Sequence, residues 1–505
     1  MAVFVFVFIV LVVLFLFYHL FYKRLGLPPG PVPVPFLGNT LALNVSGRWE
    51  YQFLKWKKRY GKIFTYWVGE LPIVAVNDYE LCVKLFVHEA DAFADRCAPE
   101  HFLRYTREGV VSGVIFTSNY LWQDQRRFAL RVLKDFGFGG KALQDKILDE
   151  IRGVMENVNN EIATGQPEHD LHRQTDLAVG SVISSMLFGI KFNQDNKEEF
   201  YRLKSRTTQI IRSFTDPIIG VGRFNKHFFD ATYFYCKSVI EAFADVYAFL
   251  DKQIQERLSH NDFTEDMHPR DYIDAFFIER AKLERTGGNA AAFYTVPQLK
   301  GMTFDLFFAG QETLSSTLTW IFAFLITSPQ VQQKLHEELD REIDSDRLIT
   351  AADKPKLHYL QAVIAEGQRK ANIFSQNVLR EASRDIKIDG LLIRKGTCII
   401  PQISSIHYDP EVFDDPEAFK PERFIDDDGK FKKLDALIPF SLGKRVCLGE
   451  TFARTQLFLF VANICNQYEV MEVLLPAKES PVLKRYPTAG ANGMCPYKCR
   501  IRRRF

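Results

Sequence analysis

The chain has 505 residues, and its 64 lysines and arginines nearly balance its 62 aspartates and glutamates, giving a formal net charge of +2. Nucleic-acid binding through a strongly basic domain is therefore excluded. Hydrophobic residues make up 47% and charged residues 25% of the chain, which excludes a disordered chain and a polytopic membrane protein. The eight cysteines form no CxxC pair and are too sparse for a disulfide scaffold, so we expect most of them to be reduced and buried.

An apolar segment opens the chain. Residues 2–22 contain no Asp, Glu, Lys or Arg, and Lys23 and Arg24 follow at once. A helix of this length spans roughly 30 Å, the thickness of the hydrocarbon core of a bilayer. We therefore predict a transmembrane anchor over residues 1–22, whose positive flank keeps the rest of the chain on the cytoplasmic side. A cleaved secretory signal is the alternative, but no basic region precedes the apolar run and no small-residue cleavage site ends it.

A basic and proline-rich hinge, residues 23–39, follows the anchor. Proline fixes φ and lacks an amide donor, so this stretch cannot extend the anchor helix. It predicts a stiff, extended spacer that sets how the next domain lies against the membrane, or else a simple tether. Residues 40–505 contain no low-complexity linker and no repeat, so we expect one large domain. Its most polar stretch, 253–271, is predicted to be a surface loop between helices.

Helical patterns dominate this domain. The longest predicted helix begins at Thr295, which resembles a cap before Val296 and Pro297, and ends at Ser328, because Pro329 stops it. Such a helix would be about 45 Å long. Short strands are predicted at Ile63–Val68, Ile73–Val76, Ile386–Ile388 and Cys398–Pro401. The fold class is therefore mainly α with small β-sheets.

One predicted helix carries an aromatic residue and several arginines. Trp122 and Arg126 are four residues apart, so they lie on the same helix face. A basic stripe on the same helix comprises Arg127, Arg131 and Lys134. This stripe would suit an acidic partner protein, and it equally fits an ordinary solvated helix face. The stretch 137–142 matches a relaxed GxGxxG fingerprint but follows a helix instead of a strand, so a dinucleotide site is rejected.

The long helix contains the sequence Ala-Gly-Gln-Glu-Thr at 309–313. Ala309, Gly310 and Thr313 share one helix face. A glycine inside a helix costs about 1 kcal/mol relative to alanine, which suggests that something approaches closely there. The Thr313 hydroxyl could donate to a bound oxygen species, with Glu312 in a water-linked proton path. A packing glycine and a threonine bonded to its own helix are the alternative, and spacing alone does not decide.

A short loop before the last predicted helix, residues 439–450, places Cys447 between Gly443, Arg445 and Gly449. A helix N-terminus and a nearby guanidinium both lower the pKa of a thiol. The alternative is a buried, inert cysteine beside a turn. Two further stretches are interpreted structurally: 426–429 as a turn that lacks the ligand pattern of a calcium loop, and the basic 498–504 cluster as a solvated tail.

The pattern F-x-x-G-x-R-x-C-x-G at Phe440, Gly443, Arg445, Cys447 and Gly449 resembles the haem-ligand loop of the cytochrome P-450 (haem-thiolate monooxygenase) superfamily. The resemblance covers essentially the whole chain and is nearest to the animal microsomal type, including its drug-metabolising branch. It implies a cytochrome P-450 fold as a single large domain after an N-terminal transmembrane anchor. It also implies haem b (iron protoporphyrin IX) as cofactor, with Cys447 as the axial thiolate.

The resemblance assigns roles to further residues. Thr313, Glu312 and Gly310 match the oxygen-activation signature, and Phe308 and Ala309 would then border the substrate. The haem propionates are expected to be bound by Trp122, Arg126, Arg96, Arg380 and Arg445, with Phe440 and Gly449 also against the cofactor. A structural triad is expected from Glu366, Arg369 and Arg423. The family often has proline nine residues after the glutamate of this triad, whereas this chain has Ser375.

The implied function is insertion of one atom of O2 into a hydrophobic organic substrate, such as a xenobiotic, a fatty acid or a steroid-like molecule. Electrons would come from NADPH through a separate NADPH–cytochrome P-450 reductase, with cytochrome b5 as an optional further donor. The implied location is the endoplasmic reticulum membrane, with a single-pass anchor in the lipid and the catalytic domain in the cytoplasm. Two alternatives are retained: a haem-thiolate isomerase or dehydratase that uses no O2, and a non-catalytic haem carrier or sensor.

Overall fold

A 32-residue helix, Val296–Thr327, runs through the main hydrophobic core of the molecule. Thr295 caps it by accepting a hydrogen bond from the Gln298 amide, and Pro297 lies in its first turn. Pro329 begins the next helix after Ser328, so the two bounds agree with the sequence prediction. The rise per residue makes this helix about 48 Å long.

The computed structural model describes residues 1–137, 140–214, 216–260, 263–287, 289–388, 390–473, 494 and 496–505. The helices in these ranges are α1 (Ala2–Leu20), α2 (Thr40–Val45), α3 (Trp49–Tyr60), α4 (Tyr79–Val83), α5 (Glu100–Thr106), α6 (Asn119–Asp135), α7 (Lys141–Ala163), α8 (Leu171–Leu187), α9 (Lys197–Ser213), α10 (Pro217–Phe224), α11 (Lys226–Ala231), α12 (Tyr233–His260), α13 (Tyr272–Thr286), α14 (Val296–Thr327), α15 (Pro329–Glu342), α16 (His358–Ala371), α17 (Ile403–His407) and α18 (Glu450–Gln467). The large core forms where α14 packs against α8, α12, α16 and α18.

Three small sheets complete the fold. The strands are β1 (Ile63–Val68), β2 (Leu71–Val76), β3 (Arg380–Glu381), β4 (Ile386–Ile388), β5 (Leu391–Ile393), β6 (Cys398–Pro401), β7 (Tyr468–Glu472) and β8 (Cys499–Arg503). The four-stranded sheet has the order β1-β2-β6-β3, in which only the β2–β6 pair is parallel. The other two sheets are the antiparallel pairs β4–β5 and β7–β8. Helices with small sheets are the fold class that the sequence predicts.

Two local predictions are wrong, those for the stretch 253–271 and for the cluster 498–504. Residues 253–260 are the last turns of α12 instead of a loop, whereas 263–271 are outside helices and strands, as predicted. The basic cluster at 498–504 contains strand β8, and Arg504 forms an ion pair with Asp340, so it is not a solvated tail. Cys97 and Cys398 form a disulfide with their Cα atoms 5.7 Å apart, although they are separated by 301 residues in sequence. Five other cysteines in the described ranges are free, as expected, and Cys495 lies outside those ranges.

The proline-rich hinge packs against the four-stranded sheet. The Thr65 amide on β1 donates to the Pro29 carbonyl over 2.9 Å, and Gly38 bridges to Val68. A Cβ at Gly30 would lie 1.8 Å from the Thr65 carbonyl oxygen, so this contact requires glycine. The hinge is therefore more than an extended spacer, because it forms an additional layer along β1.

The N-terminal helix is apolar and lies outside the core. Its side chains are largely exposed, and by length and composition the segment Val3–Arg24 could cross a membrane. It is the one such candidate in the described part of the chain. At its end, Lys23 donates to the Glu70 carboxylate in the β1–β2 turn over 2.7 Å. This ion pair connects the apolar helix to the folded domain.

Candidate functional site

Cys447 lies in a tight turn immediately before α18. Its amide donates to the Phe440 carbonyl over 2.9 Å, and the Val446 amide donates to the Gly443 carbonyl over 3.0 Å. Gly449 precedes the first residue of α18, so the thiol lies near the helix N-terminus, as the sequence predicts. Cys447 is exposed, whereas the other free cysteines in the described ranges are buried.

The polypeptide by itself does not acidify this thiol, in contrast to the sequence expectation. Desolvation by the surrounding protein is the largest influence and raises the pKa of Cys447. The Gly449 amide and the Arg126 charge act in the opposite direction but do not offset the desolvation. A metal ion bonded to the sulfur is the kind of charge that would deprotonate it.

The two glycines of this loop differ in what surrounds them. Gly443 has φ +70°, and a Cβ there would lie 1.7 Å from the Phe86 carbonyl oxygen, so no other residue fits. A Cβ at Gly449 would meet no protein atom within 4 Å. Packing within the protein therefore requires glycine at position 443, whereas the space beside Gly449 is open to another molecule.

The predicted cofactor-binding arginines converge on this loop. Arg126 donates to the Val446 carbonyl over 2.7 Å, and Arg380 donates to the Leu442 carbonyl over 2.8 Å. Arg445 donates to the Thr117 carbonyl over 2.6 Å and stacks on the Trp122 ring at 3.8 Å. Trp122 thus supports an arginine through a cation–π contact, besides its place in the core.

Arg96 is the fourth of the predicted arginines and lies before α6. The structure places it beside the others: its guanidinium donates to the Ile115 carbonyl over 2.9 Å and to the Val378 carbonyl over 3.0 Å. It therefore bridges the segment before α6 and the segment before β3. The four arginines come from four separate parts of the chain.

These arginines form a buried cluster of positive charge. Burial, together with repulsion from Arg380 and Arg126, lowers the pKa of Arg445 to about 9, and burial lowers the pKa of Arg380 to about 10. For Arg96, burial and the other three guanidinium groups lower the pKa well below its usual value. Within the described ranges, Asp95 partly offsets this effect at Arg445, and no ion pair forms with any of the four. Because arginine keeps its proton, such a cluster is suited to bind an anionic group.

The Ala309–Thr313 motif lies in the middle of α14. Thr313 donates its hydroxyl to the Ala309 carbonyl over 2.7 Å, so in this structure it bonds its own helix. A Cβ at Gly310 would lie 3.2 Å from Ile183 on α8, which means that helix packing accounts for the glycine. The alternative noted for these two residues is thus the observed geometry, and a role for either in oxygen chemistry stays a prediction.

Glu312 is bound by polar side chains of a neighbouring helix, and its part in a water-linked proton path stays a prediction. Its buried carboxylate accepts hydrogen bonds from Thr207 over 2.7 Å and Thr208 over 3.0 Å on α9. It also pairs with Lys204 over 3.2 Å, and Lys204 pairs in turn with Asp176 over 3.3 Å. The nearby carboxylates raise the pKa of Lys204 despite its burial, so this lysine stays charged. Glu312 is therefore held by α9.

Replacing Lys204 with methionine is expected to destabilise the protein, because two buried carboxylates would lose their shared cation. Breaking a buried ion pair by removing one partner costs about 3–5 kcal/mol. Thermal unfolding followed by circular dichroism should show a clear fall in Tm. The matched control is Lys237→Met, which removes an exposed i,i+4 pair with Glu241. Equal melting temperatures for the two variants would contradict the assignment.

Phe308 and Ala309 border an aromatic region of α14. The buried Phe308 ring stacks on Phe304 with centroids 5.6 Å apart and meets Phe214, after α9, at 6.1 Å. Ala309 is half-buried beside them. This apolar wall offers area for burying a hydrophobic molecule but few groups for polar discrimination.

The predicted triad comes together on α16. The Arg369 guanidinium donates two hydrogen bonds to the Glu366 carboxylate, at 2.7 and 2.8 Å, and both side chains are fully buried. Arg423 pairs with the same carboxylate over 3.2 Å. Arg369 also donates to the His407 carbonyl over 2.8 Å. This arrangement fixes the segment 407–423 against α16.

His407 connects the triad to the cysteine loop. Its Nε2 accepts a hydrogen bond over 3.1 Å from the amide of Ile438, the residue directly before that loop. Burial beside Arg369 lowers the pKa of His407 to about 3, which keeps the ring neutral and able to accept. No sequence signal singled out this histidine.

Asp305 is a second residue that the sequence analysis missed. It is buried on α14, accepts from the Val114 and Ile115 amides over 2.7 and 2.8 Å, and pairs with Arg107 over 2.7 Å. It thereby holds the loop whose Thr117 carbonyl accepts from Arg445. A single acidic residue in an otherwise apolar helical stretch was the signal that could have found it.

The basic stripe on α6, considered together with Lys444, is partly paired with acidic residues of the same chain. Arg131 pairs with Glu279 over 2.9 Å, and Lys444 near the cysteine loop pairs with Asp91. Arg127 and Lys134 are exposed. Two of these four cations therefore already have acidic partners within the chain.

The chain is similar to known proteins over most of its length. The family model described as Cytochrome P450 matches residues 28–484. The chain is 34% identical over 452 residues to cytochrome P450 2A5 of Mus musculus, covering 89% of this chain and 88% of the relative. It is 32% identical over 460 residues to cytochrome P450 2E1 and 33% identical over 463 residues to cytochrome P450 2G1, both of Oryctolagus cuniculus, with the same coverage of 89% and 88%.

Proposed function

The chain belongs to the cytochrome P450 family and is a haem b-dependent monooxygenase, and from this premise we propose how its residues bind the cofactor and what it oxidises. We propose that the Cys447 sulfur would bind the haem iron and that the cluster of Arg96, Arg126, Arg380 and Arg445 would hold the propionates. One observation carries it: four guanidinium groups converge beside a single accessible thiol and form no ion pair in the described ranges.

The residues present fit a dianionic porphyrin. Two propionates would be the negatively charged partners of the four arginines, which form no ion pair in the described ranges. Guanidinium groups bind carboxylates bidentately. The open space beside Gly449 and the accessible Cys447 lie on the same loop. Once bound, thiolate-ligated haem supplies O2 activation, because the sulfur pushes electron density toward the metal and favours O–O cleavage.

Two side chains of α14 are proposed to manage protons for this chemistry. Thr313 can turn its hydroxyl from the Ala309 carbonyl toward the haem side, where it would donate one proton at its Oγ1 atom. Glu312, which pairs with Lys204, would form part of a water-linked proton path behind it. Gly310 would contribute by allowing α8 to pack closely, and not through contact with the reacting atoms.

The substrate class that we propose is a hydrophobic organic molecule, in keeping with the stacked rings of Phe304, Phe308 and Phe214. We further propose that residues 1–22 anchor the protein in the endoplasmic reticulum membrane, that 23–39 form the hinge, and that the catalytic domain 40–505 faces the cytoplasm. Electrons would come from NADPH through a separate flavoprotein reductase, with cytochrome b5 as an optional further donor.

The experiment that tests this function is reconstitution of the purified full chain with haem, an NADPH-dependent cytochrome P450 reductase and lipid under 18O2. A panel of apolar compounds is first screened for a substrate-induced shift of the Soret band. We expect one 18O atom in the product of each responding compound, with NADPH consumed only when reductase is present.

The alternatives predict other outcomes. A haem-thiolate isomerase or dehydratase would convert its substrate without NADPH or 18O incorporation. A carrier or sensor would bind haem but show neither a substrate-induced shift nor reductase-dependent NADPH use.

Arg445→Ala tests the proposed propionate site, since loss of one of four propionate-binding cations should increase the rate of haem loss.

A further inference from the structure

A row of polar side chains continues from Glu312 through the protein to the surface of α8. Lys204, which pairs with Glu312, also pairs with Asp176 over 3.3 Å. Nε2 of His172, one helical turn before Asp176, lies 3.4 Å from that carboxylate. The His172 side chain is 19% exposed, whereas that of Glu312 is 4% exposed. The row therefore leads from the surface to the residue directly before Thr313.

The contacts of His172 determine where its ring hydrogens lie. The Thr319 hydroxyl donates to the Ser315 carbonyl over 2.8 Å, so the Thr319 oxygen accepts from His172 Nδ1, which lies 2.6 Å away. Nε2 then faces the Asp176 carboxylate, which has no hydrogen to donate when it is ionised. A favourable contact requires a hydrogen on Nε2 as well. The geometry thus indicates a doubly protonated, positively charged ring.

The charges of this row balance only when the His172 ring is protonated. Asp176 and Glu312 supply two negative charges, whereas Lys204 supplies one positive charge, and an uncompensated buried charge is costly. Burial lowers the pKa of Lys204, but the two carboxylates raise it by more, so the lysine stays charged. Of the two cations, His172 is therefore the one suited to lose and regain a proton near neutral pH.

The other titratable groups packed beside this row do not exchange protons near neutral pH. Tyr201 on α9 donates to the Arg173 carbonyl over 2.9 Å, and Tyr497 before β8 donates to the Thr319 carbonyl over 3.0 Å. Burial raises the pKa of Tyr201 to about 12 and raises the pKa of Tyr497 well above its usual value. The Arg173 guanidinium, which stacks on the Tyr201 ring at 4.1 Å, keeps its proton as well.

We propose that His172 is the residue through which protons from solvent enter this row, and that Asp176 passes them toward Glu312 during turnover. The inference rests on the proposed function, in which Glu312 is part of the proton path behind Thr313. His172 and Asp176 act through Glu312 and do not touch the reacting atoms, so they are positioning residues for the proton.

The proton balance of the reaction explains why such a route is needed. Monooxygenation places one oxygen atom of O2 in the substrate, while two electrons and two protons convert the other atom to water. In each transfer, a proton leaves His172 Nε2 for the Asp176 carboxylate. Lys204 then donates one ammonium proton to Glu312 and accepts the one on Asp176, so its own charge is unchanged. Water returns a proton to the exposed edge of His172.

His172→Gln removes the exchanging group and tests the route. The haem-loaded full chain is reconstituted with reductase and lipid, and turnover is measured in H2O and D2O with a compound that shifts the Soret band. We expect kcat to fall about tenfold, less than the roughly 100-fold or more contributed by a group that transfers a proton to the reacting atoms. The solvent isotope effect on kcat should increase, because proton supply then limits turnover. The substrate dissociation constant should be unchanged.

His172→Lys separates proton transfer from a structural role. Lysine keeps a positive charge beside Asp176, but its ammonium group stays protonated near neutral pH. We therefore expect Tm to be restored while kcat stays low. The matched control is His169→Gln, because His169 is a buried histidine that pairs with Glu161 on α7 over 2.7 Å. This control should leave kcat and the isotope effect unchanged.

A double variant tests whether His172 and Asp176 belong to one route. Removing two members of the same route should cost no more than removing one, so His172→Gln combined with Asp176→Asn should have the kcat of the slower single variant. Independent roles would instead multiply the two effects. The carbon-monoxide spectrum of each variant verifies that the thiolate–haem site is intact.

Three results would overturn the inference. They are an unchanged kcat and isotope effect in His172→Gln, a kcat restored by His172→Lys, and multiplied effects in the double variant. Failure of the proposed function is distinguishable from all three, since the wild-type protein would then show no reductase-dependent 18O incorporation, whereas these comparisons start from an active wild-type protein.

Discussion

Cys447→Ser is expected to abolish the red-shifted Soret band of the reduced, carbon-monoxide-treated protein and to reduce monooxygenase turnover to background. The band depends on a thiolate ligand, and a serine hydroxyl cannot replace sulfur in donating electron density to iron. The loss should exceed the roughly 10–100-fold that follows when only an outer hydrogen-bonding partner of a metal ligand is removed. Absorption spectroscopy with carbon monoxide is the measurement.

The control for this prediction is Cys465→Ser. Cys465 lies on α18, the helix that follows the cysteine loop, and it is fully buried. Burial raises the pKa of its thiol to about 12, so it is unsuited to bind a metal as a thiolate. This variant should keep the red-shifted band. Retention of the band in Cys447→Ser, or its loss in Cys465→Ser alone, would show that the ligand has been assigned to the wrong cysteine.

Arg369→Ala is expected to prevent accumulation of folded protein. The change leaves the fully buried Glu366 with a single cation, Arg423. It also removes the donors to the His407, Pro416 and Ala418 carbonyls. Breaking a buried ion pair costs about 3–5 kcal/mol, and each buried acceptor left without a donor adds about 1–3 kcal/mol. The sum is comparable to the whole stability of a typical domain.

The measurement is the yield of soluble, haem-containing protein, with Arg341→Ala as control. Arg341 forms an exposed contact with Glu342, and its loss should be nearly neutral. Arg369→Lys should not rescue the defect, because lysine cannot make the bidentate contact and reach three carbonyls at once. Normal yield of Arg369→Ala, with an unchanged melting temperature, would show that the triad does not hold this part of the fold.

The sequence predicts elements whose signals are local. Both ends of α14 were predicted because a capping threonine and two prolines act within a few residues of the helix ends. Strand β1 was predicted over its exact span from a run of β-branched and aromatic residues. The pair β7–β8 was not predicted, because its strands, Tyr468–Glu472 and Cys499–Arg503, are far apart in sequence and the basic residues of the second are typical of a solvated tail.

The site likewise contains some features that follow from local sequence and others that depend on contacts between distant parts of the chain. The turn around Cys447 follows from glycines and an arginine within ten residues, so its geometry was accessible to sequence analysis. The Lys204–Glu312 pair was not, because the two residues lie on different helices more than a hundred residues apart and Lys204 belongs to no short motif. The same holds for the Cys97–Cys398 disulfide. The direction of the Cys447 pKa also required the fold, since desolvation depends on everything packed around the loop.

The packing of residues 23–39 along β1 has a practical consequence for preparing the protein without its apolar N-terminal helix. Strand β1 is the outermost strand of its sheet, and the Thr65 amide would be without its acceptor if Pro29 were removed. An uncovered edge strand has unpaired backbone N–H and C=O groups that can pair with another copy of the chain. A shortened version that begins near Leu25 should therefore remain monomeric, whereas one that begins at Thr40 should self-associate during purification.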